Sequence, residues 1–253
     1  MVYRIMPVRS MARTTLFEEK TKYIMTPKAS GSLQMDPAPN GLDCVQHVEM
    51  FAKEQCNGAR GSHAWDHTLR VVRLCRHIGP LESADMVVLL SAAYLHDIGR
   101  GYQDKVRGAI CHAEKGASLA APFVATLPFS EEQKTNILHC ILSHRFRGKQ
   151  KPETLEAKAL FDADKLDAIG AVGVARAYLF AGEVGACLHN PDIRIKDTKP
   201  YSKDDTGYRE FRVKLRKVRE RMLTDTGRHR AEERHQFMEQ FFNRFIQEFN
   251  GER

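Results

Sequence analysis

The chain has 253 residues, 42% of them hydrophobic and 28% charged, and it carries a formal net charge of +7. This size and balance suit a soluble protein that buries its core in one large domain, or in one domain with appendages. They argue against a membrane protein, because no stretch approaches the ~18 apolar residues that cross a bilayer. The positive charge suits polyanionic ligands, including nucleotides and nucleic acids, without identifying one.

The six cysteines are scattered along the chain and form no CxxC pair. This spacing argues against a zinc ribbon and against a dithiol redox motif. Since no secretory signal is evident, we expect reduced thiols in a reducing compartment, and therefore a cytoplasmic protein.

The first predicted element is an extension over residues 1–40, which contains several prolines and lacks helical apolar periodicity. We expect it to be poorly ordered. Its first half carries Arg4, Arg9 and Arg13 before any acidic residue, which leaves organelle targeting open, although a plain tail is favoured. The remaining residues, 41–253, are predicted to form one helical domain.

Apolar residues recur at helical spacing from residue 41 onward. Ser83 is predicted to cap a helix that reaches Leu95, and Ser130 to cap a helix that reaches His144. The segment 152–182 is predicted to be helical, with a break near Phe161 left open. Long strand-like alternation is absent, so the pattern favours an all-α bundle.

Two further helices are predicted to finish the chain. Their apolar stripes consist of Phe211, Leu215, Val218 and Met222 in the first helix, and of Phe237, Phe241, Phe245 and Phe249 in the second. We expect both stripes to face the core or an interface. Helices this rich in phenylalanine could pair, so monomer and homodimer both stay open.

Histidines and aspartates gather in a few short segments. These segments are His63–His67, His96–Asp97, the surroundings of His112 and His144, and Phe161–Asp167. Imidazole together with carboxylate suits borderline divalent metals, whereas sites built from oxygen alone favour magnesium or calcium. The composition of these segments therefore indicates a metal centre.

The adjacent pair His96-Asp97 sets a geometric condition. Neighbouring residues on a regular helix diverge by about 100°, so both can reach one ion only near a helix end or distortion. Gly99 and Gly101 follow and permit such an end. His63 and His67 are four residues apart and would share one helix face.

The acidic run is ambiguous on its own. Asp162 fits an ordinary helix N-cap, where free backbone amides stabilise a carboxylate. Asp164 and Asp167 would share a helical face, and Lys165 lies beside them. The N-cap explanation accounts less well for Asp164.

In order, these residues resemble the H…HD…D pattern of the HD superfamily of metal-dependent phosphohydrolases, and in particular its small branch of nucleotide pyrophosphohydrolase-like proteins. The resemblance covers residues 41–253. It is carried by the segments HAWDHTLRVVRL, AAYLHDIGR, FDADKLDAIGAVGVARAYLFAG and RHQFMEQFFNRFIQEFNGE. It implies an HD-domain helical bundle with additional C-terminal helices.

The resemblance implies that His67, His96, Asp97 and Asp164 bind the metal ion. Asp164 is preferred because it matches the aspartate of the family's "AD-basic-Leu" pattern, and Asp162 is the fallback.

The resemblance also implies roles around these ligands. His112 and His144 match additional histidines that bind a second metal ion in some members and contact substrate in others. His63, Asp162 and Asp167 are expected beside or behind the ligands.

The expected chemistry is hydrolysis of a phosphorylated small molecule. A divalent ion, manganese first, with iron, cobalt, nickel, zinc or magnesium open, would activate water. Asp97 would bind the ion and orient that water. Lys165, Arg145 and Arg100 would neutralise phosphate oxygens, Lys165 and Arg145 as catalytic residues.

Family resemblance points to a nucleoside triphosphate cut to monophosphate and pyrophosphate. A cyclic-nucleotide phosphodiesterase and a di-iron oxygenase stay open as alternatives. The non-enzymatic alternative is a nucleic-acid-binding module, suggested by the basic segment Arg209–Arg221. An ordinary packed helix with a solvated basic face is favoured for that segment.

Overall fold

A computed structural model describes residues 41–56, 65–106, 109–145 and 150–253 of the chain. The predicted extension over residues 1–40, and with it any targeting signal, lies outside these residues, as does His63. The described part is helical and contains no strand, which confirms the all-α prediction. None of its helices combines the length and the apolar composition needed to span a membrane.

Ten α-helices and two short 3-10 turns make up this described part. The helices are α1 Gly41–Gln55, α2 Trp65–Leu81, α3 Met86–Leu95, α4 Arg100–Lys105, α5 His112–Thr126, α6 Glu131–Ser143, α7 Leu155–Leu166, α8 Gly170–Glu183, α9 Gly207–Val213 and α10 Asp225–Phe249, and the 3-10 turns are Ile195–Asp197 and Leu215–Arg221.

Helix α3 lies at the centre of the bundle. It packs against α1, α2, α6 and α7, and every residue from Val88 to Leu95 is buried. A helix that is apolar on all sides is stable only when neighbours surround it. The C-terminal end of this helix is also buried, and so are His96 and Asp97, which follow it.

The start of α3 differs from the prediction. Asp85, not Ser83, is the N-cap, and its carboxylate accepts hydrogen bonds from the amides of Val87 at 2.9 Å and Val88 at 3.2 Å. Ser83 has φ of +56°, so it belongs to the preceding turn. The prediction for Ser130 is confirmed, since it forms a reciprocal capping box with Gln133 at the start of α6.

The break near Phe161 that the sequence left open does not occur, because α7 continues through Phe161 to Leu166. No glycine or proline interrupts this stretch, and Phe161 is buried. The chain turns instead after α7, and α8 begins at Gly170 with φ of +75°. That left-handed conformation suits glycine, which has no Cβ to clash.

The first predicted C-terminal stripe is buried: Phe211, Leu215, Val218 and Met222 are each at most 6% exposed. It spans α9, the following 3-10 turn and Met222 directly after that turn, rather than one continuous helix. Several basic side chains of this segment form ion pairs, for example Arg219 with Glu232 at 2.8 Å. They match the expected solvated face of a packed segment.

The second predicted stripe faces the core only in part. Phe237 and Phe249 are each 42% exposed, whereas Met238 and Phe242 are buried. Residues spaced by four advance about 40° around a helix at each step. The two ends of a stripe over residues 237–249 therefore diverge by about 120° and cannot all face the core.

Candidate metal centre

Five parts of the fold deliver the candidate ligands to one place at the end of α3. His67 lies in the first turn of α2, and His96 and Asp97 follow α3 directly. The other elements contribute the first residue of α5, the residue after α6, and the last turn of α7. Those residues are His112, His144 and Asp164.

The candidate ligands form two groups, and within each group the ligand atoms lie within 4.8 Å of one another. The first consists of His67, His96 and Asp164, and the second of Asp97, His112 and His144.

Asp97 belongs to the second group but also faces the histidines of the first, with one carboxylate oxygen directed to each pair of histidines. Its Oδ2 is 3.8 Å from Nε2 of His67 and 3.9 Å from Nε2 of His96. Its Oδ1 is 3.5 Å from Nε2 of His112 and 3.6 Å from Nε2 of His144. The helix end after Leu95, which the sequence required, is what allows His96 and Asp97 to face the same centre.

The Oδ1 atom of Asp97 is buried and makes no hydrogen bond within the described residues. A buried carboxylate oxygen without a hydrogen bond is costly, and its only ion-pair partner among the described residues outside the histidines is Arg100 at 3.4 Å. A divalent cation between Asp97, His112 and His144 would supply this oxygen with a close partner, so these residues fit a metal ion.

The imidazole nitrogens are arranged for metal binding. Nδ1 of His96 lies 2.7 Å from the carbonyl of Ala93, and Nδ1 of His144 lies 2.6 Å from the carbonyl of Ile141. Because a carbonyl only accepts, each Nδ1 carries the proton and each Nε2 presents a lone pair. This arrangement is typical of metal-bound histidines, whose far nitrogen is held by an acceptor.

The Nε2 atoms also face one another. They are 3.4 Å apart in His67 and His96, and 3.2 Å apart in His112 and His144. Two lone pairs at such a distance repel unless a proton or a metal ion lies between them. Burial lowers the pKa of His96 to about 4 and that of His112 to about 3, so both imidazoles are neutral and able to bind metal at neutral pH.

His67 is held from behind by Asp167, whose Oδ2 lies 2.7 Å from its Nδ1. Arg70 and Arg176 also donate to this carboxylate, at 2.6 and 2.7 Å. Burial opposes a charge on His67, but Asp164 and Asp167 outweigh it and raise its pKa to about 9. A proton on Nε2 thus occupies the position that a metal ion would take.

The structure separates the two candidate aspartates of α7. Oδ1 of Asp164 lies 3.3 Å from Nε2 of His67. Asp162 is buried on the other side of the helix, where its carboxylate accepts from the amide and hydroxyl of Thr224, each at 2.7 Å, and from the amide of Leu223 at 2.9 Å. The expectations of an N-cap role and of a place beside the ligands are therefore wrong for Asp162.

The three predicted cations differ in their contacts. Nζ of Lys165 lies 2.6 Å from Asp164 and 3.0 Å from the carbonyl of His144, so it touches both groups. Arg100 is 3.4 Å from Asp97. Arg145 donates to Sγ of Cys111 at 3.1 Å, next to His112 rather than on a ligand atom.

Three residues that hydrogen-bond His112 or Asp167 were not predicted from the sequence. Gln103 lies 2.8 Å from Nδ1 of His112. Arg70 and Arg176 contact Asp167 from α2 and α8. Only Arg70 had a detectable signal, since it follows His67 by three residues and lies on the same helix face.

The comparisons with known proteins identify the family. The HD domain family model matches residues 64–169, a span that contains every candidate ligand of both groups. The chain is 37% identical over 215 residues to the protein YpgQ of Bacillus subtilis (strain 168), covering 83% of this chain and 96% of YpgQ.

Solved structures show the same fold. The crystal structure of YpgQ in complex with ADP is 32% identical with a TM-score of 0.62, covering 81% of this chain and 97% of that one. The crystal structure of an HD-superfamily hydrolase from Bacillus thuringiensis is 27% identical with a TM-score of 0.67, covering 83% and 99%. This chain belongs to the HD superfamily of metal-dependent phosphohydrolases.

Proposed function

We propose that this protein is a divalent-metal-dependent phosphohydrolase that cuts nucleoside triphosphates to monophosphate and pyrophosphate. The observation that carries the proposal is the Asp97 carboxylate, whose two oxygens face two groups of imidazoles across a buried site. Such a site concentrates positive charge when loaded, which suits the oxygens of a polyphosphate.

We propose manganese as the native metal, with a second ion held by Asp97, His112 and His144. Mixed imidazole and carboxylate donors suit borderline divalent metals, among which manganese tolerates oxygen donors well. Iron, cobalt, nickel, zinc and magnesium are the alternatives for a metal analysis to decide.

When bound, a divalent ion lowers the pKa of its water toward neutrality and polarises a phosphoryl oxygen. The chain's own residues supply the rest. Asp97 would orient the attacking water by accepting its hydrogen bond. Lys165 and Arg100, which already contact Asp164 and Asp97, would neutralise the phosphate oxygens as charge develops. Arg145 would reach the substrate from beside His112.

The nucleotide class is supported by the YpgQ structure, which contains ADP. The net charge of +7 is compatible with a polyanionic substrate. Pyrophosphate release rests on the family resemblance of the sequence.

The second candidate function is a di-iron oxygenase, which the group of Asp97, His112 and His144 favours because it completes a two-ion site. A phosphodiesterase is the nearer variant. Elemental analysis of the purified protein distinguishes the oxygenase from a phosphohydrolase, since an oxygenase would contain two iron ions per chain. An activity assay on a panel of substrates that includes cyclic nucleotides distinguishes the phosphodiesterase.

The test uses protein stripped of metal and reloaded with manganese. Nucleoside triphosphates should release pyrophosphate and not orthophosphate. His96→Ala and Asp97→Asn should each abolish metal retention and pyrophosphate release while helicity measured by circular dichroism persists. His229→Ala is the matched control, because His229 is exposed on α10. Full activity in both site variants would overturn the site assignment, and orthophosphate release would overturn the choice of bond.

A further inference from the structure

Gln103 makes two contacts to one candidate ligand. Its Oε1 lies 2.8 Å from Nδ1 of His112 and 3.2 Å from the backbone nitrogen of the same residue. Gln103 belongs to α4, and His112 is the first residue of α5. One side-chain oxygen thus holds both the ring and the main chain of His112.

These two contacts together determine the tautomer of His112. A backbone amide can only donate, so the Gln103 atom facing it must be the amide oxygen rather than the nitrogen. Since that oxygen only accepts, Nδ1 of His112 must carry its proton. The lone pair then lies on Nε2, which faces Asp97 and His144.

The hydrogen-bond acceptor of Nδ1 in His112 belongs to a more exposed element than the acceptors of the other imidazoles do. His96 and His144 bond carbonyls of their own helical segments, and His67 bonds Asp167 at the end of α7. Gln103 instead belongs to a six-residue helix with no buried residue. The hydrogen-bond acceptor for Nδ1 of the buried His112 ring therefore comes from a helix that is not itself part of the core.

Helix α4 makes one more contact to the second group, through Arg100. Arg100, its first residue, lies 3.4 Å from Oδ1 of Asp97, the oxygen that faces His112 and His144. The contacts of α4 with the metal centre are thus made to Asp97 and His112, both members of the second group.

We propose that Gln103 is a positioning residue for the second metal ion, which it favours by holding His112 with Nε2 free for coordination. The inference rests on the proposed metal-dependent function. It assigns Gln103 to the second group alone, so its loss leaves the group of His67, His96 and Asp164 intact.

The test titrates metal-free protein with Mn²⁺ alone, by isothermal calorimetry, without substrate. Removal of a residue hydrogen-bonded to a metal-binding histidine weakens metal affinity by about 10–100-fold. We expect Gln103→Ala to weaken the second binding event by this factor and to leave the first unchanged. Gln103→Glu, which keeps the acceptor, should restore the second event. Asp104→Ala, an exposed change on the same helix, is the matched control.

Gln103→Met, which keeps the length of the side chain without its acceptor, repeats the test if the alanine variant does not fold. Two unchanged binding events in either variant would overturn the role of Gln103. A single binding event in the wild type would overturn it as well, since there would be no second ion to position. Absence of any Mn²⁺ binding in the wild type would instead contradict the proposed function itself.

Discussion

Asp162 and Asp164 are two residues apart, yet their carboxylates lie in different environments. Asp164 faces Nε2 of His67, whereas Asp162 binds the turn that starts α10 through Leu223 and Thr224. Residues two apart on a helix diverge by about 200°, so one faces the metal centre and the other faces away from it. Asp164 is therefore the candidate metal ligand of α7, whereas Asp162 connects α7 to the start of α10.

Exchange of each aspartate for asparagine separates these roles. Asp164→Asn should lose metal retention, and it should also destabilise the metal-free protein, because the Asp164 carboxylate pairs with His67 and Lys165. Asp162→Asn should retain metal and lower the free energy of unfolding by about 1–3 kcal/mol, because an NH2 donor replaces one of the two oxygens that accept from Leu223 and Thr224. Elemental analysis and urea titration measure the two effects. Loss of metal only in Asp162→Asn would reverse the assignment.

The raised pKa of His67 predicts that the stability of the metal-free protein depends on pH. Its pKa of about 9 lies above the ordinary value of 6.5. The stabilisation from its proton is therefore complete below pH 6.5 and is lost as pH rises from 6.5 to 9. We expect stability in EDTA to fall by about 2–3 kcal/mol over this window, at about 1.4 kcal/mol per pKa unit. Urea titrations at both pH values measure it, and an equal fall in His67→Gln would contradict it.

At the scale of elements, the turn between α3 and α4 brings His96 and Asp97 to the candidate metal centre. Its close approach to α5 requires Gly99, where an added Cβ would lie 2.2 Å from the carbonyl oxygen of His112 and 2.6 Å from the amide nitrogen of Gly116. Gly101 in α4 has no neighbour within 4 Å of such a Cβ. The two glycines therefore have different structural roles.

Gly99→Ala should displace α5, lower the free energy of unfolding by about 1–3 kcal/mol and weaken metal binding through His112. Gly101→Ala should instead stabilise the protein by about 0.5–1 kcal/mol, because alanine favours a helix over glycine. Urea titration compares the pair. A stable, metal-binding Gly99→Ala variant would show that α5 does not need this close approach.

At the scale of the whole molecule, the metal centre joins parts of the chain that are distant in sequence. Its candidate ligands come from α2, the turn after α3, α5, the residue after α6, and α7, which surround the buried end of α3. A metal ion bound there binds the folded protein and not the unfolded chain. It should therefore stabilise the bundle as a whole.

Manganese at about 100 times its dissociation constant should add about 3 kcal/mol, which raises the melting temperature by about 5–10 °C for a chain of this size. Thermal melts in EDTA and in manganese measure the shift. Asp97→Asn should melt at the same temperature in both. An equal shift in this variant would place the stabilising ion elsewhere.

The sequence alone determined the helical class, most helix positions, the need for a helix end at His96-Asp97, and the family. These follow from local periodicity and from short motifs, both of which are readable in one segment at a time. The tertiary structure decided which side of α7 meets His67, that Asp97 faces both histidine groups, and that Gln103 and Asp167 hold the imidazoles. Those contacts join residues from different helices, and His67 and Asp167 are 100 positions apart. Only helix packing, which periodicity does not encode, brings such residues together.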